Sequence, residues 1–246
     1  MKILFTLISS LFLFLSVSEA KTDKKELAAL RKEYNYLRTN TVPNGCTISS
    51  IQFIKAYSAS NPGEYADFAS IWPLTYKGQS VAHAVVYFTT QNRANSYYFD
   101  IEGGIRPLPD ITAATPSAEI VDIIKKDITR NWKNIEQDRK SGFRKPSEDA
   151  QIPYKDTDAG DLEATKYAFS ELKHLQAHPL RITSEGKTYP GFFFVFNNSL
   201  YVYSPKSGSA ISPQEVVGKV NVNELITSAL TRSVFKDPTF VILKTL

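Results

Sequence analysis

One cysteine is the residue of this chain most able to do covalent chemistry. Cys46 is the only cysteine among the 246 residues, so the chain cannot form an internal disulfide. It follows Gly45 and precedes a segment of helical periodicity, about 47–58, which places it at a helix N-terminus. Free backbone N–H groups and the positive end of the helix dipole favour thiolate over thiol there. The position therefore predicts a nucleophile.

A histidine and an aspartate lie on two predicted strands farther along the chain. The β-branched and aromatic runs 81–90 and 96–101, separated by a polar turn, are typical of an antiparallel hairpin. If Thr90 faces Arg93 across the turn, the numbers of paired residues sum to 183 and His83 lies opposite Asp100. Both side chains then point to the same face of the sheet. The carboxylate would orient the imidazole and stabilise its charged form.

Cys46, His83 and Asp100 together supply the parts of a thiol acyl-transfer site. An imidazolium beside Cys46 would lower the pKa of the thiol, and the backbone N–H of Cys46 could donate to an oxyanion. Candidates for the second oxyanion donor are Asn40, six residues upstream of Cys46, and Trp72. We expect attack on an amide bond, with water or a second amine resolving the thioester. A peptide, another protein's glutamine side chain and a peptidoglycan crosslink remain open as substrates, and no cofactor or metal is expected.

Three short segments carry a pattern known from a group of enzymes. They are Gly45-Cys46 opening a helix, Val81-Ala82-His83-Ala84-Val85-Val86 on a strand, and Tyr98-Phe99-Asp100 on the next strand. The pattern covers roughly residues 40–108 and resembles the transglutaminase-like branch of the papain-like cysteine enzymes. The resemblance implies an α+β domain in which a helix packs on an antiparallel sheet. It also implies Cys46 as nucleophile, His83 as general base and acid, and Asp100 as the orienting carboxylate.

Departures from this family keep a second class of function open. Thr47 follows the cysteine where many relatives carry a bulky aromatic residue, and the third member is aspartate rather than the asparagine of papain. The alternative is a catalytically inactive, secreted binding or interaction module on the same fold. In that case Cys46 would be dispensable, and aromatic surface residues would carry the contacts.

A second hairpin in the C-terminal part follows a similar plan. The runs 191–196 and 200–203 flank the turn pair Asn197-Asn198, and an aromatic strand again leads into a glycine-containing turn. The similarity indicates a degenerate internal repeat. Phe192 and Ser204 occupy the places where a histidine and an aspartate would be needed, so such a copy would be inert.

The first twenty residues are typical of a secretory signal peptide. Lys2 precedes an apolar run over 3–17, and Ser18-Glu19-Ala20 supplies the small residues of a cleavage site. The apolar run is too short for a comfortable membrane span. We therefore expect a secreted or periplasmic protein with no integral membrane span once the signal is removed.

Composition and charge narrow the classes of partner. With 22% charged and 42% hydrophobic residues, the chain is globular, and collagen, coiled coil and wholesale disorder are excluded. A formal net charge of +4 is too mild to indicate nucleic acid, which export also disfavours. The basic stretch 125–145 is more typical of a solvated helix face than of a membrane-binding surface.

Two groups of polar residues have the composition of metal sites. They are His174 and His178 with Glu171, and the aspartates Asp156, Asp158 and Asp161. The first group lacks an obvious further ligand for zinc. In the second, Gly160 precedes the third aspartate instead of following it, which favours a solvated linker over a calcium loop.

The remaining elements complete an α+β pattern. We expect helices over 23–38 capped by Asp23, from Pro116 onward, over 162–177 capped by Asp161 and ended by Pro179, and over 223–232, with a last strand over 239–243. The helix from Pro116 has an apolar stripe at helical spacing that we expect to lie in a core, formed by Ile120, Ile124, Ile128, Trp132 and Ile135. The predicted organisation is a signal peptide (1–20), a transglutaminase-like cysteine domain (21–112), a helix and linker (113–160) and a C-terminal α+β region (161–246).

Overall fold

The structure is a computed structural model that describes residues 23–76, 78–141, 154–216 and 221–246. The described residues form an α+β structure with two antiparallel sheets and several helices, which confirms the predicted class. The predicted signal peptide and most of the predicted linker over 141–160 lie outside the described residues.

The first sheet follows the chain order β1-β2-β3-β4. Its strands are β1 (Ala66–Tyr76), β2 (Gln79–Thr90), β3 (Asn95–Asp100) and β4 (Gly104–Pro107). The second sheet has the order β8-β7-β6-β5-β9. Its strands are β5 (His178–Ser184), β6 (Lys187–Phe196), β7 (Ser199–Ser204), β8 (Gly208–Glu215) and β9 (Thr239–Ile242).

Six α-helices are described, together with a short 3₁₀ turn at Lys173–Leu175. They are α1 (Lys24–Tyr34), α2 (Tyr36–Thr39), α3 (Cys46–Ser60), α4 (Ser117–Ser141), α5 (Asp158–Glu171) and α6 (Val222–Thr231). Among the described residues, no helix combines the length and the apolar character that crossing a membrane requires.

The single helix predicted over 23–38 is divided in two. Asp23 caps α1 as expected, accepting from the backbone N–H of Lys25 at 2.8 Å. The helix is interrupted at Asn35, and α2 follows as a separate short helix. From α2, Arg38 donates to the carbonyl of Ile101 at 3.1 Å and so ties this helix to the turn that follows β3.

Helix α3 lies between the two sheets. Phe53 and Tyr57 pack against residues of the first sheet. Ile48 and Ile51 pack against aromatic residues of the second sheet and against α5. Even the small polar residues of its first two turns are buried. A helix covered on both sides explains why the segment is apolar around most of its circumference.

Helix α4 covers the other face of the first sheet. The predicted stripe is present: Ile124, Ile128, Trp132 and Ile135 are buried. They pack with sheet residues that include Val85 and Tyr98. The burial of this stripe confirms the helical periodicity that was expected to belong to a core.

The start and end of α5 differ from the prediction. The N-cap is Thr157, whose hydroxyl accepts from the N–H of Gly160 at 3.2 Å, so the helix begins before Asp161. Asp161 is buried in the first turn and accepts from the hydroxyl of Tyr154 at 2.5 Å. Pro179 lies inside β5 and does not end the helix. Asp161 was wrongly chosen because its carboxylate serves a tertiary contact that local sequence does not reveal.

Candidate active site

The hairpin of β2 and β3 positions two of the three predicted residues. Thr90 pairs with Asn95, so the numbers of paired residues sum to 185, and the predicted pairing of Thr90 with Arg93 is wrong. The turn has four residues rather than two, and three of them, over 91–93, have positive φ. Because side chains alternate along a strand, a shift of two residues leaves His83 and Asp100 on the same face as diagonal neighbours.

His83 and Asp100 are in direct contact. The Nε2 atom of His83 lies 2.8 Å from Oδ1 of Asp100, and the two side chains are 7% and 0% exposed. The carboxylate also accepts from the backbone N–H groups of Glu102 and Gly103, both at 3.0 Å. Burial opposes ionisation of Asp100, but the charge and hydrogen bond of His83 outweigh it and hold the pKa of the carboxyl below its usual value.

The turn after β3 requires glycine at one position. A Cβ atom at Gly103 would lie 2.3 Å from Nδ2 of Asn131 and 2.9 Å from Oδ2 of Asp100. No real side chain tolerates such distances without movement of its neighbours. The absence of a side chain at Gly103 therefore allows its N–H to approach the carboxylate.

Cys46 is the first residue of α3, as predicted, and it is partly exposed. Its thiol shares a hydrogen bond with His83. Nε2 of His83 is bound to Asp100, which leaves Nδ1 as the nitrogen available to Cys46. The thiol also accepts from the backbone N–H groups of Ala84 and Thr47. The ladder between β2 and β3 ends with Val86, which leaves the N–H of Ala84 free for this contact.

These contacts favour a thiolate–imidazolium pair. Burial raises the pKa of the Cys46 thiol, but hydrogen bonding and the charge of His83 outweigh burial, and the pKa is lowered overall. For His83, burial acts to lower the pKa, yet Asp100 and then Cys46 raise it to about 10. At neutral pH, His83 is therefore charged. Its two ring N–H groups then donate hydrogen bonds, one to Asp100 and the other to Cys46.

Trp132 is a member of the site that sequence reasoning missed. Its Nε1 donates to Oδ2 of Asp100 at 2.9 Å, and its ring meets the ring of His83 edge-on with centroids 4.8 Å apart. The sequence assigned Trp132 only to the core-facing stripe of α4. The sequence could have indicated this contact, because a buried indole N–H needs a hydrogen-bond acceptor and Asp100 was already predicted to lie on the sheet.

The loop before Cys46 is held by the second sheet. The hydroxyl of Tyr203 donates to the carbonyl of Pro43 at 2.8 Å, and Nδ2 of Asn44 donates to the carbonyl of Pro205 at 2.7 Å. Tyr203 is fully buried. The strand end that carries Tyr203 therefore fixes the backbone leading into the nucleophile. No local pattern announces these contacts, which join residues about 160 positions apart.

The two predicted oxyanion donors lie on different elements. Asn40 is the exposed C-cap residue of α2, and its carbonyl is 3.5 Å from the hydroxyl of Tyr167. Trp72 lies on β1 next to Ile71, which pairs with His83, and its side chain is 61% exposed. Among the described residues, no hydrogen bond links either side chain to Cys46. Their role as oxyanion donors stays a prediction.

The second hairpin resembles the first, but one of its residues is equivalent to a different position from the one predicted. Phe192 pairs with Tyr203 in the second sheet, as Val86 pairs with Phe99 in the first. Phe192 therefore corresponds to Val86, and the position equivalent to His83 is Tyr189 instead. Ser204 pairs with Gly208 just as Asp100 pairs with Gly104, so Ser204 does correspond to Asp100. The assignment of Phe192 was wrong because the two hairpins have turns of different length, four residues in the first and two in the second.

The two groups considered as metal sites make other contacts. Glu171 accepts from Nε2 of Gln52 at 2.7 Å, and Nδ1 of His174 lies 3.1 Å from the carbonyl of Glu171. Lys206 forms ion pairs with Asp156 and Asp161. Within the described ranges, no group of three or more histidine, cysteine, aspartate or glutamate side chains could hold a metal ion.

Comparison of the chain with protein-family models, with curated proteins and with solved structures found no significant match. The chemistry available to the protein is therefore read from the geometry of Cys46, His83, Asp100 and Trp132.

Proposed function

We propose that this protein is a cysteine-dependent acyl-transfer enzyme, a cysteine peptidase or a transglutaminase-like amidase, in which Cys46 attacks an amide carbonyl. The observation that carries the proposal is the position of His83, which contacts Asp100 through Nε2 and is hydrogen-bonded to Cys46. We further propose the transglutaminase-like branch of the papain-like fold for the region around α3 and the first sheet, and a secreted or periplasmic location.

The first half of the reaction forms a thioester. The Cys46 thiolate adds to the carbonyl carbon, and the developing oxyanion is stabilised by the backbone N–H of Cys46 at the start of α3. In the part of the chain that the structure describes, no other group uses this N–H. His83 then gives the proton on Nδ1 to the leaving amine as the C–N bond breaks.

The second half releases the acyl group. Neutral His83 takes a proton from the incoming water or amine, whose oxygen or nitrogen attacks the thioester carbonyl. The C–S bond breaks, and the thiolate is restored beside the imidazolium. Asp100 stabilises the charged ring in both halves, and Trp132 keeps the carboxylate in place. The proposed substrates are proteins, peptides or peptidoglycan-type amides.

An activated ester tests the proposal without knowledge of the natural substrate. p-Nitrophenyl acetate should release a burst of one p-nitrophenolate per chain, followed by slower turnover, and mass spectrometry should find the acetyl group on Cys46. Cys46→Ser should abolish the burst, and His83→Ala should slow it by at least tenfold. His174→Ala, which changes an exposed histidine, is the matched control and should behave like the wild type.

Two results would count against the enzyme. One is an absence of acetyl-Cys46 in the folded protein; the other is a burst that His83→Ala leaves unchanged. If Cys46→Ser also retains the full biological effect, the inactive binding module becomes the better description. Transamidation is separated from hydrolysis by adding a primary amine and measuring its incorporation into the acyl product.

A further inference from the structure

A cavity lies on the face of the first sheet that α4 covers, and Cys46 is not among its lining residues. It has a volume of about 400 Å³, within the range of small-molecule sites. The residues that matter here are Tyr65, Asp67, Tyr87, Arg93, Ser96 and Ile120, and we name this cavity the tyrosine groove. Tyr87 is four residues from His83 along β2, about 13 Å at the usual rise of a strand. The groove and the thiol site are therefore distinct.

Two tyrosine rings form one wall of the groove. The rings of Tyr65 and Tyr87 have centroids 5.7 Å apart and are tilted by 55°, which makes a concave aromatic surface. Tyr65 is 40% exposed, so its ring is accessible from solvent. Ile120 of α4 lines the groove as well. Such walls suit a ligand with flat C–H faces, as a pyranose ring has.

Polar groups surround this aromatic wall. The hydroxyl of Tyr65 donates to Oδ2 of Asp67 at 2.9 Å, and the hydroxyls of Tyr87 and Ser96 are 3.0 Å apart. A purely apolar ligand would remove the hydroxyl and carboxylate groups of the groove from water without replacing the hydrogen bonds that they make with water. A ligand rich in hydroxyl groups can both donate to and accept from them.

The charges in the groove argue against a charged ligand. Among the described residues that line it, Asp67 and Arg93 are the charged ones, and their charges have opposite sign. A phosphate would meet the carboxylate of Asp67, and an amine would meet the guanidinium of Arg93. The hydroxyl groups of a neutral polyol, by contrast, can donate to the carboxylate of Asp67 and accept from the guanidinium of Arg93.

From these features we propose that the tyrosine groove binds a neutral oligosaccharide, with a sugar ring against Tyr65 and Tyr87 and its hydroxyl groups bonded to Asp67 and Arg93. This binding does not require the thiol chemistry of Cys46. It gives the protein a carbohydrate-binding site in addition to its acyl-transfer site.

Calorimetric titration with cellotetraose, chitotetraose and maltotetraose tests this site. We expect at least one of these tetrasaccharides to bind with Kd below about 1 mM. Tyr65→Ala and, separately, Arg93→Gln should each weaken binding at least fivefold. Tyr36→Ala removes a ring that is 49% exposed on another part of the surface and should leave Kd unchanged. Cys46→Ser should also bind as the wild type does, which separates this proposal from the enzyme.

The proposal is overturned if none of the three sugars binds at 10 mM, a concentration about tenfold above the expected Kd. It is equally overturned if both groove variants bind sugar as tightly as the wild type. Two variants are used because Tyr65 also binds Asp67 at the start of β1, whereas Arg93 lies in an exposed turn.

Discussion

Replacing His83 with alanine should return the Cys46 thiol to ordinary reactivity. In the intact site the pKa of His83 is raised to about 10, so its ring is charged across the neutral range and holds the pKa of the thiol down. Without the ring, burial raises the pKa of Cys46, and only the N–H groups of Ala84 and Thr47 oppose it. The substitution therefore removes the main source of thiolate.

The size of the effect follows from thiol chemistry. An ordinary thiol with a pKa near ~8.5 is about 0.3% ionised at pH ~6. A thiol held almost wholly as thiolate carries roughly 300 times more of the reactive form at that pH. Nucleophilicity falls by about 0.4–0.5 log units for each unit by which the pKa falls, so a thiol ionised through a fall of about 3 units keeps a net advantage of roughly 10-fold. We expect His83→Ala to slow alkylation of Cys46 at pH ~6 by about this factor or more.

The assay is the rate of iodoacetamide alkylation of the folded protein across a pH series. Because Cys46 is the only cysteine, the mass gained by the intact chain reports on one thiol alone. His174→Ala, with its exposed ring, should give the wild-type profile. Two outcomes would refute the ion pair: a thiol that reacts only after unfolding, and a pH profile that is the same with and without His83.

Three further changes test the surroundings of the thiol. Trp132→Phe removes the donor to the Asp100 carboxylate and should lower the free energy of unfolding in urea by about 1.5–3 kcal/mol. Tyr203→Phe leaves the buried carbonyl of Pro43 without its donor; it should lower the same quantity by about 1–3 kcal/mol and also slow alkylation of the thiol. Asp100→Asn should remove the contribution of the His83–Asp100 pair to the free energy of unfolding, and this contribution depends on pH. The raised pKa of His83 stabilises the fold fully below about pH 6.5 and less as pH rises toward 10, while the lowered pKa of Asp100 stabilises it above about pH 4.

Matched surface variants control for each of these experiments. Trp72→Phe and Tyr36→Phe change side chains that are 61% and 49% exposed, and each should shift the free energy of unfolding by less than about 0.5 kcal/mol. Asp110→Asn alters an exposed carboxylate and should shift the free energy of unfolding by less than about 0.5 kcal/mol. If a variant of a buried residue changed the free energy of unfolding no more than its surface control did, the corresponding contact would contribute nothing measurable to stability.

Local chemistry made part of the fold and site predictable. The glycine before Cys46 and the periodicity after it predicted the start of α3, and the apolar stripe of α4 predicted its buried face. The hairpin carrying His83 and Asp100 was predicted with a register two residues off, because the length of its turn depends on left-handed backbone at 91–93. Strand side chains repeat every two residues. Because the register was wrong by an even number of residues, His83 and Asp100 were still correctly predicted to lie on the same face of the sheet.

Contacts between distant parts of the chain were beyond prediction. Trp132 was assigned to the core because periodicity reports which face is buried and not which polar atom the face meets. The attachment of Pro43 to Tyr203 depends on how the second sheet packs on α3, and no segment near either residue encodes that packing. Asp161 likewise looked like a helix cap, yet its carboxylate accepts from Tyr154 and forms an ion pair with Lys206, a residue far along the chain.

The position of α3 between two sheets sets the order in which the surroundings of Cys46 can form during synthesis. The helix begins at Cys46, but part of its buried surface is covered by strands that end at Ser204. A ribosome-bound chain that has made Cys46, His83 and Asp100 therefore still leaves Ile48 and Ile51 uncovered and the loop at Pro43 untethered. The thiol therefore acquires its fixed environment only after the chain as far as Ser204 has emerged from the ribosome.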